Sequence, residues 1–126
     1  MSQKELGLAV IGSGRIGSLR AILASGHPAV KYLGVSDINI ENAKKLAAKS
    51  NAQKFTDDNH ELISDPNVNV VIVSTSEHEH FDSVMHALEL GKPVLVEKPI
   101  ALSVDEADKM IKKSEETGTL FRVGYA

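Results

Sequence analysis

An α/β fold built on a doubly wound parallel sheet of about six strands, with helices on both faces, is predicted by three observations. Short β-rich runs alternate with longer helical stretches all along the chain, the order expected of a βαβ series. Those runs are apolar throughout and do not alternate in polarity, as strands covered on both faces must be. A G-x-G-x-x-G pattern, Gly12, Gly14 and Gly17, lies directly after the first run and directly before the first helical stretch.

The elements follow in order. The clearest strands are LGLAVI, VKYLGV, NVVIVST, PVLVEK and LFRVGY, with a short weak one around Lys54 and Phe55. Helical segments are expected at 15–25, 41–50, 58–64, 78–90 and 104–117. Two of them carry capping boxes. Ser76 with Glu79 opens the fourth helix, which Gly91 closes, and Ser103 with Glu106 opens the fifth, which Gly118 closes. Within the fourth, Phe81, Val84, Met85 and Leu88 recur at three- and four-residue spacing and should face the sheet.

With 126 residues, 42% of them hydrophobic, the chain fits one domain over 1–126 with one core. It has no cysteine, which excludes disulfides and Cys-type zinc sites and is compatible with a reducing compartment. The opening MSQKELGLAVIGSG is too short in its apolar part, and too broken by glycine, for a signal peptide or a spanning helix. A cytoplasmic location is expected. The net charge of -3, with basic residues scattered and not striped, predicts neither a nucleic-acid nor a membrane partner. The expected partner is a small molecule.

The three glycines have separate tasks. Gly12 allows a tight turn, Gly14 lets the backbone approach a pyrophosphate, and Gly17 lets the helix pack close to the strand. With Ser13, Arg15 and Ile16 between them, the turn would offer backbone N–H groups and a helix dipole to the phosphates. Asp37 ends the second strand at 37 − 12 = 25 residues past the first glycine. There a carboxylate can accept from the adenosine ribose hydroxyls. It would also repel a 2′-phosphate, and no arginine follows in DINIEN, so NAD is expected over NADP. The spacing from Gly12 to Gly17 also suits a triphosphate loop, but Ser18 stands where that loop needs lysine. No G-x-S-x-G elbow of an α/β hydrolase is present.

Over essentially its whole length the chain resembles the N-terminal domain of the glucose-fructose oxidoreductase and inositol dehydrogenase (Gfo/Idh/MocA) family. The likeness rests on GSGRIG, on Ser36-Asp37 at the second strand's end, on VSTSEHEHF after the fourth strand and on GKPVLVEKPIALS through the fifth. The resemblance implies a Rossmann fold, a nicotinamide cofactor, and hydride transfer to or from a sugar- or polyol-like carbinol. It implies that Lys98 lies beside the nicotinamide and the reacting hydroxyl, and that Glu97 belongs to the same cofactor wall. It further implies that Ser74 and Thr75 pass the cofactor and that His80 contacts it. Ser76-Glu77 stands where the family commonly has proline and asparagine, and the bland reading of His80, a half-buried residue on the face of Val84, stays open. The family continues into a second domain that binds substrate and usually builds a homo-oligomer. That domain is expected to be absent from these residues, and the isolated cofactor half to be inactive.

No metal site is expected. His78 and His80 would point about 200° apart on a helix, and His27, His60 and His86 have no neighbours at ligand spacing. Two other readings remain open at this point: a stand-alone NAD-binding or sensing module that regulates a protein partner, and a methyltransferase using S-adenosylmethionine, for which VEKPIALS would have no role.

Overall fold

The computed structural model describes residues 6–12, 26–74, 77–97 and 104–124. The first predicted helix, 15–25, lies outside them. Six strands form one parallel sheet: β1 (Leu6–Ile11), β2 (Val30–Ser36), β3 (Lys54–Thr56), β4 (Val70–Val73), β5 (Val94–Glu97) and β6 (Phe121–Gly124). Their spatial order is β3-β2-β1-β4-β5-β6. The described helices are α1 (Ile40–Ser50), α2 (Asn59–Ile63), α3 (Glu77–Glu89) and α4 (Val104–Thr117). Each lies within one or two residues of its expected span.

Burial on both faces explains the continuous apolar strands. Along β1, Leu8 and Val10 face one side, where they meet Leu33, Val35 and Ile72 of the sheet and Leu46 and Ala47 of α1. Ala9 and Ile11 face the other, with Val71, Val73, Val94 and Val96, under Leu62 and Ile63 of α2, Val84, Ala87 and Leu88 of α3, and Met110 of α4. The sheet is thus wound on both sides. Phe81 and Met85 pack at the margin of the second cluster, and the α3 face is the expected one.

The helix stops are also where expected. Gly91 and Gly118 take φ of 72° and 65°, and Lys92 N–H and Thr119 N–H reach back to Ala87 O and Ser114 O at 3.0 Å each. Ser76 and Ser103, the expected caps, lie outside the described residues. Two caps were not anticipated. Asn39 accepts from Glu41 N at 3.0 Å to start α1, and Asp58 accepts from Glu61 N at 3.1 Å to start α2. The second has the D-x-x-E spacing of a capping box in plain view.

At the amino ends of the strands a polar group closes the sheet. The Tyr32 hydroxyl donates to Asp65 Oδ2 at 2.5 Å, Asn67 N donates to Asp65 Oδ1 at 2.9 Å, and Lys92 Nζ donates to the carbonyls of Ile63 and Asp65. Burial pushes the Tyr32 hydroxyl up to about 12, and the Asp65 hydrogen bond and charge add to it. Burial alone would raise Asp65. The hydrogen bonds from Tyr32 and Asn67, with the charge of Lys54, outweigh it and hold the carboxyl below its usual range. Two pH limbs follow. Because the folded Tyr32 value is raised, its contribution is fully present below about pH 10 and is lost as pH climbs through about 12. Because the folded Asp65 value is lowered, its contribution is present above about pH 4 and is lost as pH falls through the depressed value. Tyr32→Phe should cost about 1 kcal/mol at neutral pH, abolish the alkaline limb and shrink the acid one, as read from urea midpoints across pH.

Candidate functional site

The winding direction of the sheet reverses between β1 and β4, and the parallel register brings three strand ends level there. Ile11 pairs with Ser36 on one side and with Val73 on the other. The residues that follow, Gly12, Asp37 and Ser74, therefore leave the carboxyl edge of the sheet side by side. In an open α/β sheet this reversal is where a crevice for ligand forms.

Backbone hydrogen bonds lock the three exits together. Gly12 N donates to Ser36 O at 2.8 Å, Ser74 N to Ile11 O at 2.7 Å, and Asp37 N to Thr56 O at 3.2 Å. Gly12 is buried with φ of 97°, a conformation that a side chain would strain. Asp37 is half-buried, and its Oδ1 accepts from Asn39 N at 2.8 Å, so the carboxylate is held at the strand end by the same residue that caps α1. The Ser74 hydroxyl oxygen is shielded from solvent and has no hydrogen-bond partner among the described residues. Leaving such a group unpaired costs about 1–3 kcal/mol, and a bound polar ligand would supply what is missing. A glycine turn, a carboxylate fixed one strand away and a buried hydroxyl on the other side thus stand side by side at this sheet edge.

The other expected contacts are placed less fully. Glu97 ends β5 one step past Val96, the partner of Val73, so its backbone is level with Ser74. His80 falls in the first turn of α3. Ser13, Gly14, Arg15, Ile16, Gly17, Thr75 and Lys98 lie outside the described residues.

Packing brings together a histidine pair that chain spacing keeps apart. His60 of α2 and His86 of α3 lie with ring centroids 4.3 Å apart, tilted by 35°. Asp82 pairs with His60 Nε2, and Ser64 Oγ lies 2.9 Å from His86 Nε2. Among the described residues no three His, Cys, Asp or Glu side chains could hold a metal ion, and no helix is long and apolar enough to cross a membrane.

Fold and site define a class, that of dinucleotide-binding α/β domains with the ligand crevice at the β1/β4 reversal. The model of the oxidoreductase family with an NAD-binding Rossmann fold (Gfo/Idh/MocA) matches residues 6–125, and the chain belongs to that family. It is 33% identical over 124 residues to the scyllo-inositol 2-dehydrogenase (NAD(+)) of Bacillus subtilis (strain 168), covering 98% of this chain and 36% of that protein. It is 32% identical over 122 residues to the 2,7-anhydro-N-acetylneuraminate hydratase of Mediterraneibacter gnavus, covering 97% of this chain and 32% of that protein. Among solved structures, GenD2 from gentamicin A biosynthesis in complex with NAD superposes with a TM-score of 0.88 at 29% identity, covering 98% of this chain and 35% of that one. The chain thus spans about a third of the length of the curated relatives it matches.

Proposed function

We propose that residues 1–126 are the NAD-binding domain of an oxidoreductase that moves hydride between nicotinamide and a sugar- or polyol-like carbinol. The observation that carries this reading is the alignment along one sheet edge of Gly12, Asp37 and the Ser74 hydroxyl, which has no partner among the described residues, in a chain of an NAD-binding family. The turn Gly12–Gly17, with Ser13, Gly14, Arg15 and Ile16, would hold the pyrophosphate, Asp37 the adenosine ribose, and Ser74, Thr75, His80 and Glu97 the nicotinamide half. Bound NAD supplies a hydride acceptor. Lys98 would orient the substrate hydroxyl and stabilise the alkoxide that develops while the hydroxyl proton passes to an acid/base residue of the family's second domain.

Asp37 and the absence of a nearby arginine in DINIEN support NAD over NADP. Substrate recognition belongs to a part of the parent protein beyond this domain, and the relatives' names, from an inositol dehydrogenase to an anhydro-sugar hydratase, leave the particular carbinol to experiment. We assign the parent to the cytoplasm as a homo-oligomer with no nucleic-acid or membrane partner. Nothing among the described residues favours the sensing-module reading.

The test is reduction of NAD by the full-length protein across a panel of inositols and sugars. Turnover of at least one polyol, lowered about 100-fold or more by Lys98→Met with NAD affinity kept, is the expected result. Full turnover by the Lys98 variant would remove that residue from the chemistry.

A further inference from the structure

We propose that Asn59 is a positioning residue for the cofactor crevice, acting through Ser36 on both the Asp37 arm and the Gly12 turn. The inference rests on the NAD-binding reading above and concerns a residue that neither the glycine pattern nor the acid implicates.

Ser36 is the last residue of β2 and fully buried, and its hydroxyl donates to Asn59 Oδ1 at 2.6 Å. Its carbonyl accepts from Gly12 N at 2.8 Å, and the next residue, Asp37, donates its N–H to Thr56 O at 3.2 Å. One residue is therefore bonded to the glycine turn by its main chain and to α2 by its side chain. Asn59 is a firm anchor because its helix is nailed down at both levels. Leu62 and Ile63 are fully buried, and Asp58 caps the helix while its own N–H donates to Thr56 Oγ1 at 3.1 Å. The last residue of β3 and the first of α2 thus hold the end of β2, through Thr56 O to Asp37 N and Asn59 Oδ1 to Ser36 Oγ. Ribose recognition by a carboxylate needs placement to within about 0.5 Å, so the position of this strand end sets how well Asp37 can serve.

The experiment compares the chain with Asn59→Leu, Ser36→Ala and the double variant, using ADP-ribose as the probe and amide hydrogen exchange as a ligand-free readout. Each single variant should weaken ADP-ribose binding about three- to tenfold, and the double variant no more than the weaker single. Exchange should quicken at the Gly12 and Asp37 amides and stay unchanged at Val10 and Ile72 in mid-strand. Wild-type affinity and unchanged exchange at Gly12 and Asp37 would overturn the proposal. So would exchange that quickens evenly across the sheet, the mark of a merely structural role, or losses that add in the double variant. If the unmodified chain does not bind ADP-ribose, the NAD reading fails, while the exchange pattern still decides whether Asn59 holds the strand end.

Discussion

Asp37→Ala is expected to weaken NAD binding by about 1–3 kcal/mol, the cost of removing a carboxylate that accepts from a bound hydroxyl pair. The direction follows from geometry. Asp37 stands at the end of β2, beside Gly12 across one ladder step, and is braced by Asn39 N at 2.8 Å. A braced acceptor loses little freedom when ligand arrives, so most of its hydrogen-bond energy appears as affinity. The same substitution should narrow the preference for NAD over NADP, because it removes the charge that repels a 2′-phosphate. Asp57 and Asp58, exposed just past the end of β3, keep that end of the sheet acidic, so the preference should shrink without reversing. Titration of both cofactors into both proteins checks the two effects together, and an unchanged NAD affinity in the variant would separate Asp37 from the ribose.

Gly7→Ala should be the most damaging of the alanine substitutions at Gly7, Gly34, Gly91 and Gly118. A Cβ on Gly7 would stand 1.7 Å from the carbonyl oxygen of Asn67 and 2.9 Å from its carbon. Both are backbone atoms and cannot swing aside. The segment is also pinned from two directions, Gly7 N donating to Asn69 Oδ1 at 3.0 Å and Asn69 N to Gly7 O at 2.8 Å. Relief would therefore require parting β1 from the start of β4, the pair on which the site depends. A loss of about 3 kcal/mol or more is expected, against the 1–3 kcal/mol typical of overpacking. Gly34→Ala meets only the tip of a side chain, Leu62 Cδ1 at 2.4 Å, and should cost less because leucine can change rotamer. Denaturant unfolding of the two variants side by side measures the difference, and equal losses would refute the backbone argument.

Much of this fold was legible in the residues because each strand is short, apolar and bounded. Runs such as LGLAVI and VVIV have no polar face to misplace, since both faces are covered, and Gly91 and Gly118 mark helix ends by a conformation few other residues take. Even the weak strand at Lys54 and Phe55 forms, paired with Gly34 and Val35, although Phe55 stays 43% exposed at the sheet edge. The candidate site was legible where chain spacing carries it: Gly12 and Asp37 stand at a recognisable separation and follow paired strand ends. What spacing could not reveal are contacts made only by packing. Ser36 meets Asn59 across 23 residues and Tyr32 meets Asp65 across 33, and neither pair lies on a helical or strand period. His60 and His86 come together in the same way, through the contact of α2 with α3. The cap at Asp58 is different, because its D-x-x-E signal was present and simply sits before a helix of only five residues.

Binding of NAD at the carboxyl edge of β1, β2 and β4 is tested most directly by the wild-type arm of the cofactor titration, followed through amide resonances. Saturable shifts are predicted at Gly12, Asp37 and Ser74, with the opposite edge, at Tyr32, Asn51 and Gln53, unmoved. No saturable change at those three residues, or changes centred on the opposite edge, would contradict it.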